Sequence, residues 1–319
     1  MSVEGGTRAI VAALLANTGI AVTKFIAFLL TGSSSMLAES VHSVADAGNQ
    51  GLLLLGGKKS RREATPLHPF GFGRERYLYA FVVAIVLFSL GGLFALYEAW
   101  HKFQDPEPIT EYRWVPVAVL LVAIVLESFS FRTAIIESNH VRGKRSWTDF
   151  VRTAKAPELP VILLEDLAAL LGLTFALFGV SMTLATENGI WDAVGTAMIG
   201  ALLVLVAIIL AIEMKSLLLG EAASLDQVLA IKAALEGDKE SAVERVIHLR
   251  TLHLGPEELL VVAKLAVGGQ DSGGQIAAAI NAAEQQARES VPGLRLVTYL
   301  EPDLDQGTNN PISWQPTTD

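Results

Sequence analysis

His42 and Asp46 stand four residues apart in AESVHSVADAGNQ (Ala38 to Gln50), so an imidazole nitrogen and a carboxylate oxygen can reach one small object from the same helix face. That donor pair suits a divalent first-row cation. At 100° per residue, Glu39, His42, Asp46, Asn49 and Gln50 form a polar stripe over roughly a quarter to a third of the helix circumference. The stripe lies in a run of membrane-grade hydrophobicity, where ionisable residues are costly and mark function by default. A second reading stands beside it, in which His42 and Asp46 hydrogen-bond each other or a neighbouring helix. PVILLEDLAALLGL adds tandem carboxylates, Glu165 and Asp166, in another apolar segment, and two adjacent acids in mid-membrane are hard to read as packing. The chain has no cysteine, so any transition-metal site in it uses His, Asp or Glu, and cysteine nucleophiles and disulfides are excluded.

These residues need elements to hold them. Of 319 residues, 51% are hydrophobic and 18% charged, too apolar for an ordinary water-soluble domain and too charged for membrane spans alone. Six segments, 9–30, 34–56, 77–100, 114–136, 159–185 and 190–214, are predicted to cross a hydrocarbon core, which takes about 20 residues of helix. The second is the least apolar, and hydropathy alone would call it an interfacial helix or miss it. MSVEGG leads into the first run with no small-residue cleavage site, so that run reads as a span and not as a removed signal. Lys58, Lys59, Arg61, Arg62, Arg74 and Arg76 follow the second span, and Arg142, Lys144, Arg145, Arg152 and Lys155 follow the fourth. Loops on the other side are poor in such residues, so both termini are predicted to be cytoplasmic.

The transmembrane domain is therefore expected over 1–215, an all-α six-helix bundle. A small cytoplasmic α+β domain is expected over 216–304, and a disordered tail over 305–319. SLDQVLAIKAALEG reads as a helix, VERVIHLRTLHLG and ELLVVAKLAV as strands about a Gly-Pro turn, Ser272 to Ser290 as a helix and LRLVTYLE as a third strand. That order, αββαβ, suits a ferredoxin-like open-faced sandwich. From Ser216 onward 15 acidic residues face 7 basic ones, a difference of −8, which argues against a nucleic-acid partner. No phosphate loop and no soluble catalytic domain is recognisable.

The six-span layout, AESVHSVAD, the loop HPFGFGRERY (His68 to Tyr77) and the trailing αββαβ order together resemble the cation diffusion facilitator family of divalent-metal/proton antiporters. SWTDFVRTAKAPELPVILLEDLAALLG is similar to the branch holding the mitochondrial zinc-transporter-like proteins and their bacterial relatives. The resemblance covers nearly the whole chain. It implies a transport site between spans two and five, each helix giving a His or Asp and, four residues later, an Asp. His42 and Asp46 match in span two and Asp166 matches in span five, but Ile162 stands where the fourth ligand belongs. Glu165, about 100° around the helix from Asp166, and Glu39 are the further candidates to complete the set.

Other family positions depart from the pattern. Thr65 and Phe72 flank His68 where zinc-binding members carry an acid and a second His, so a loop site is expected to be absent. Lys264 and Tyr299 occupy positions where the soluble domain of such members has histidines. His248 and His253, five apart on a strand, are expected on opposite faces as structural or surface residues. Lys24 is read as neutralising a span-two carboxylate or snorkelling, Glu127 and Arg132 as structural with Glu127 a candidate proton relay, and Asp192 as capping or anchoring the outer end of its own helix.

The resemblance implies a membrane-embedded homodimer, in a bacterial plasma membrane, that exports a divalent transition metal in exchange for protons and catalyses no reaction. It implies no cofactor. Zn²⁺ is the first expectation, with Mn²⁺, Fe²⁺ and Co²⁺ as alternatives because exchanging a His for an acid hardens the site. The rival reading is a non-transporting scaffold or metal sensor, to which Ile162 and the missing cytoplasmic histidines point.

Overall fold

In a bilayer every backbone N–H and C=O must be satisfied within its own segment, and long apolar runs do this as helices. A computed structural model describes residues 3–110, 112–237 and 243–305, with side chains from residue 17 onward. The helices are α1 (Val3–Thr31), α2 (Ser34–Ser60), α3 (Glu75–Val86), α4 (Phe94–Gln104), α5 (Val115–Arg142), α6 (Trp147–Thr153), α7 (Glu158–Thr186) and α8 (Ile190–Leu219). Two compact units divide the chain, one of 1–59 with 75–215, the other of 60–74 with the residues from 216 onward. The tail expected from Gln306 lies outside the described residues.

Among the described residues four stretches are long and apolar enough to cross a membrane: Glu75–Gln104, Val115–Arg142, Glu158–Thr186 and Ile190–Leu219. The sequence predicts six. α1 and α2 have the length, at 29 and 27 residues, but the apolar part of α1 whose side chains are described is only Asn17–Thr31, and the polar stripe dilutes α2.

Glu75–Gln104 is one continuous crossing in which Leu87–Leu93 (LFSLGGL) winds as a π-helix between α3 and α4. Such wide turns are rare and are frequent at functional sites. Its two glycines lie against α8, where a Cβ on Gly92 would come within 2.7 Å of Val204 Cγ2.

Helices α7 and α8 touch backbone to backbone. A Cβ built on Gly195 would sit 2.8 Å from the Phe175 carbonyl oxygen and 3.1 Å from Gly179 Cα. Only a residue with no side chain allows that approach. Gly195→Val is therefore expected to push the helices apart and cost about 1–3 kcal/mol, the usual penalty of overpacking, read as a lower midpoint in thermal unfolding of the detergent-solubilised chain.

Helix α6, not anticipated from the sequence, is capped by Ser146, whose hydroxyl accepts from the Asp149 N–H at 3.1 Å. Its Phe150 is fully buried with Ala134 of α5 and Leu163 of α7, and Ile162 packs against the same apolar cluster.

In the second unit α9 (Leu225–Glu236), β1 (Val243–Gly255), β2 (Glu258–Val267), α10 (Gly273–Ser290) and β3 (Arg295–Asp303) follow the expected αββαβ order. β1 pairs antiparallel with β2, and β3 pairs parallel with β2 on its other side, giving the sheet order β1-β2-β3. Alternate residues of β2 (Leu259, Val261, Ala263, Leu265) are buried in one core with Ile231, Leu235, Ala283 and Ala287 of the two helices. Ser224 and Ser272 open the helices with capping boxes completed by Gln227 and Gln275. The loop 60–74 belongs to this unit: Phe70 meets Tyr299 edge to face at 6.5 Å, and Gly73 packs on Leu254 and Gly255.

Candidate metal centre

Helix α2 carries its polar stripe inward. Glu39, His42, Asp46 and Asn49 are all buried, His42 with 1% of its surface exposed. Neither ring nitrogen of His42 has a hydrogen-bond partner, although Asp46 Oδ1 lies 3.4 Å from Nδ1. Asp46 Oδ1 and Asn49 Oδ1 are likewise unsatisfied. Unpaired buried polar atoms are expensive, and several facing one another mark a place built for something else.

Helix α7 presents one face to this stripe. Asn49 Nδ2 donates to Glu165 Oε1 at 2.8 Å, which brings the Glu165 carboxyl near that of Asp46. Seven residues on, Gly172 lets the other end of the stripe close in, since a Cβ there would lie 2.8 Å from Glu39 Oε1. The pairs Asn49–Glu165 and Glu39–Gly172 align α2 and α7 antiparallel, with the 165/172 face of α7 turned to α2.

Asp166 points elsewhere. Its Oδ2 accepts from the Ser130 hydroxyl of α5 at 2.9 Å. Ile162, four residues earlier, also faces the α5–α6 side, in the apolar cluster of Phe150. The 100° offset between Glu165 and Asp166 thus places the adjacent acids on different helix neighbours. Of the five candidate ligands, His42 and Asp46 lie together on α2 and Glu165 neighbours Asp46, while Asp166 faces α5. Glu39 forms an ion pair with Lys24, Nζ to Oε2 3.0 Å, and Lys24 also donates to Ser43 Oγ at 2.8 Å. Lys24 neutralises a span-two carboxylate, the first of the two roles expected of it. Among the described residues no three His, Asp or Glu side chains converge tightly enough to hold an ion in this conformation.

Sequence reasoning missed several contributors. Gly91 of the π turn faces His42, its would-be Cβ 3.9 Å from Nδ1. Ser130 was signalled only by falling three residues after Glu127 on one face of α5. Asp192 does not cap its own helix. Its carboxylate accepts from the Ser34 N–H at 2.7 Å, the Ser35 N–H at 3.3 Å and the Ser33 hydroxyl at 2.9 Å, so it caps α2 from α8. The first-turn N–H groups of α2 have no intrahelical acceptor, and an anion there also meets the positive end of the helix dipole. Asp192→Ala leaves those donors buried and unpaired. It is expected to cost about 1–3 kcal/mol, seen as a lower thermal midpoint and earlier hydrogen exchange at the start of α2.

In the second unit the other histidines stand apart. His68 stacks on Phe72 at 4.6 Å, and the register from His248 to His253 runs without a shift, so the two face opposite sides of the sheet. Lys264 pairs with Asp303 at 2.9 Å and Glu301 at 3.3 Å, and the bond from Lys264 holds the Asp303 carboxyl below its ordinary range.

Long apolar helices with an unpaired imidazole and several carboxyls buried among them define a membrane protein with ionisable groups in its interior. The family description "Cation efflux transmembrane domain" matches residues 10–219. The chain belongs to the cation diffusion facilitator family, in its mitochondrial zinc-transporter-like branch. It is 32% identical over 254 residues to the human (Homo sapiens) protein named "Proton-coupled zinc antiporter SLC30A9, mitochondrial", covering 79% of this chain and 44% of that one. It is 28% identical over 265 residues to "Metal tolerance protein C4" of Arabidopsis thaliana, covering 82% and 57%. It is 32% identical over 121 residues to "Zinc transporter ZitB" of Pectobacterium atrosepticum, covering 38% and 36%. The chain spans about half the length of the first two relatives.

Proposed function

We propose that this chain exports a divalent transition metal, zinc foremost, in exchange for protons, through a site formed by His42, Asp46 and Glu165. The observation that carries this reading is the pair of unpartnered His42 ring nitrogens beside Asp46, whose carboxyl in turn neighbours Glu165 of α7. One imidazole and two carboxylates fit Zn²⁺, and water or the free Asn49 carbonyl fills the fourth position. The relatives' printed names, zinc antiporter and zinc transporter, agree with the choice of metal. Mn²⁺, Fe²⁺ and Co²⁺ are the alternatives in the same site.

Ligands must be deprotonated to bind a cation, so metal and protons compete for the same lone pairs, and that competition supplies coupling. Any proton carried by His42, Asp46 or Glu165 has to leave when the dication takes its lone pair. Asn49 holds Glu165 toward α2, and Asp166, bonded to Ser130, stands behind it as a reserve ligand. Lys24 keeps Glu39 neutralised away from the ion. Rocking of helix groups about this site alternates its access. Both termini are assigned to the cytoplasm, the membrane to a bacterial plasma membrane, and the soluble αββαβ domain to holding a homodimer together.

The test is metal-driven proton flux. Chain reconstituted in liposomes with a trapped pH-sensitive dye is expected to couple an imposed zinc gradient to proton movement, with slower responses to Mn²⁺, Fe²⁺ and Co²⁺. No metal-dependent flux from chain that binds zinc would instead favour a sensor or scaffold, the reading supported by Ile162 packing as an ordinary core residue.

A further inference from the structure

On the other side of α7 from His42, α5, α6, α7 and α8 border an open groove of about 770 Å³, within the range of roughly 300–1,000 Å³ typical of ligand sites. Leu164, Leu167 and Ile212 line its apolar part, and Trp147, Arg152 and Glu213 also border it. Trp147 and Arg152 belong to the short helix α6, held in place by the fully buried Phe150. The Arg142 guanidinium stacks on Trp147, 4.3 Å from the ring centroid. The segment 142–155 carries Arg142, Lys144, Arg145, Arg152 and Lys155 against one acid, Asp149.

We propose that this groove binds one anionic glycerophospholipid, with an acyl chain between α7 and α8 and the phosphate beside Arg152. Three observations choose this occupant. The groove's apolar walls belong to membrane-crossing helices, where hydrocarbon is the solvent. Trp147 gives the amphipathic ring that sits at headgroup level. Basic residues beside a pocket between membrane helices recognise anionic headgroups. A zwitterionic lipid would gain the apolar contacts and lose the charge complementarity.

Native mass spectrometry of the full chain, released from bilayer discs of phosphatidylcholine containing phosphatidylglycerol, tests the assignment. One phosphatidylglycerol per chain is expected to survive release in preference to phosphatidylcholine. Arg152→Glu, which replaces an attractive charge by a repulsive one, is expected to lower its retention on the order of tenfold. Leu164→Trp, which fills the groove, is expected to lower it as well, whereas Arg61→Glu in the loop after α2 leaves it unchanged. Equal retention of the two lipids by the unmodified chain overturns the proposal, whatever the variants do. So does unchanged retention in both groove variants. The chain has no cysteine, so Leu164→Cys introduces a single thiol. Disulfide-linked dimers of that variant in the same discs would show that a second copy occupies the groove, and would also overturn it.

Discussion

Glu165→Gln is expected to abolish zinc-driven proton flux as thoroughly as Asp46→Asn or His42→Ala, with a loss on the order of a hundredfold or more, while Asp166→Asn loses only on the order of tenfold. Family resemblance assigns the span-five ligand to Asp166. Geometry separates the two acids: Glu165 meets Asn49 and Asp46 on α2, and Asp166 takes the Ser130 hydroxyl on α5. A side chain that binds the ion should cost more to neutralise than one that stands behind it. Equal losses at both positions would mean that α7 rotates to present both acids in turn. A larger loss at Asp166 would return the ligand to the family position. The assay is the dye-loaded liposome measurement, normalised to the amount of folded chain reconstituted.

Lys24→Met is expected to destabilise the chain by about 3–5 kcal/mol, the usual cost of stranding one charge of a buried pair. Lys24 and Glu39 lie 3.0 Å apart with side chains no more than 1% exposed, and Ser43 is the other recorded partner of the ammonium. Neutralising both residues together, as Lys24→Met with Glu39→Gln, is expected to recover most of the loss, because a buried ion pair gives little net stability over a neutral pair. Thermal unfolding of both variants, read against the unmodified chain, checks this. If Lys24→Met alone unfolds at the unmodified temperature, Glu39 is not charged in the folded protein.

The sequence showed which residues are chemically out of place, but not which way they point. The stripe from Glu39 to Gln50 was legible because five polar residues at helical spacing cannot be packed into hydrocarbon by chance. The αββαβ unit was legible because its periods change from 3.6 to 2 and back, and its serine caps and Gly-Pro turn mark the joints. Rotation of α7 was not. Hydropathy is nearly uniform around that helix, so nothing local fixes its azimuth, and the partners that do fix it, Asn49, Ser130 and Phe150, lie far away in sequence. Asp192 anchors the start of α8, but the helix it caps is α2, since a carboxylate near the start of one helix can reach the start of another. The π turn at Leu87–Leu93 carries no reliable local signal beyond its paired glycines.

Where the ion sits is the most direct test of the central claim. Electron cryo-microscopy of the full chain in lipid discs, with zinc and with chelator, would show a density difference attributable to the ion. The predicted peak lies within coordination distance of a His42 ring nitrogen and one oxygen each of Asp46 and Glu165. A peak held by Asp166 without Glu165, or one lying only in the soluble domain, would contradict it.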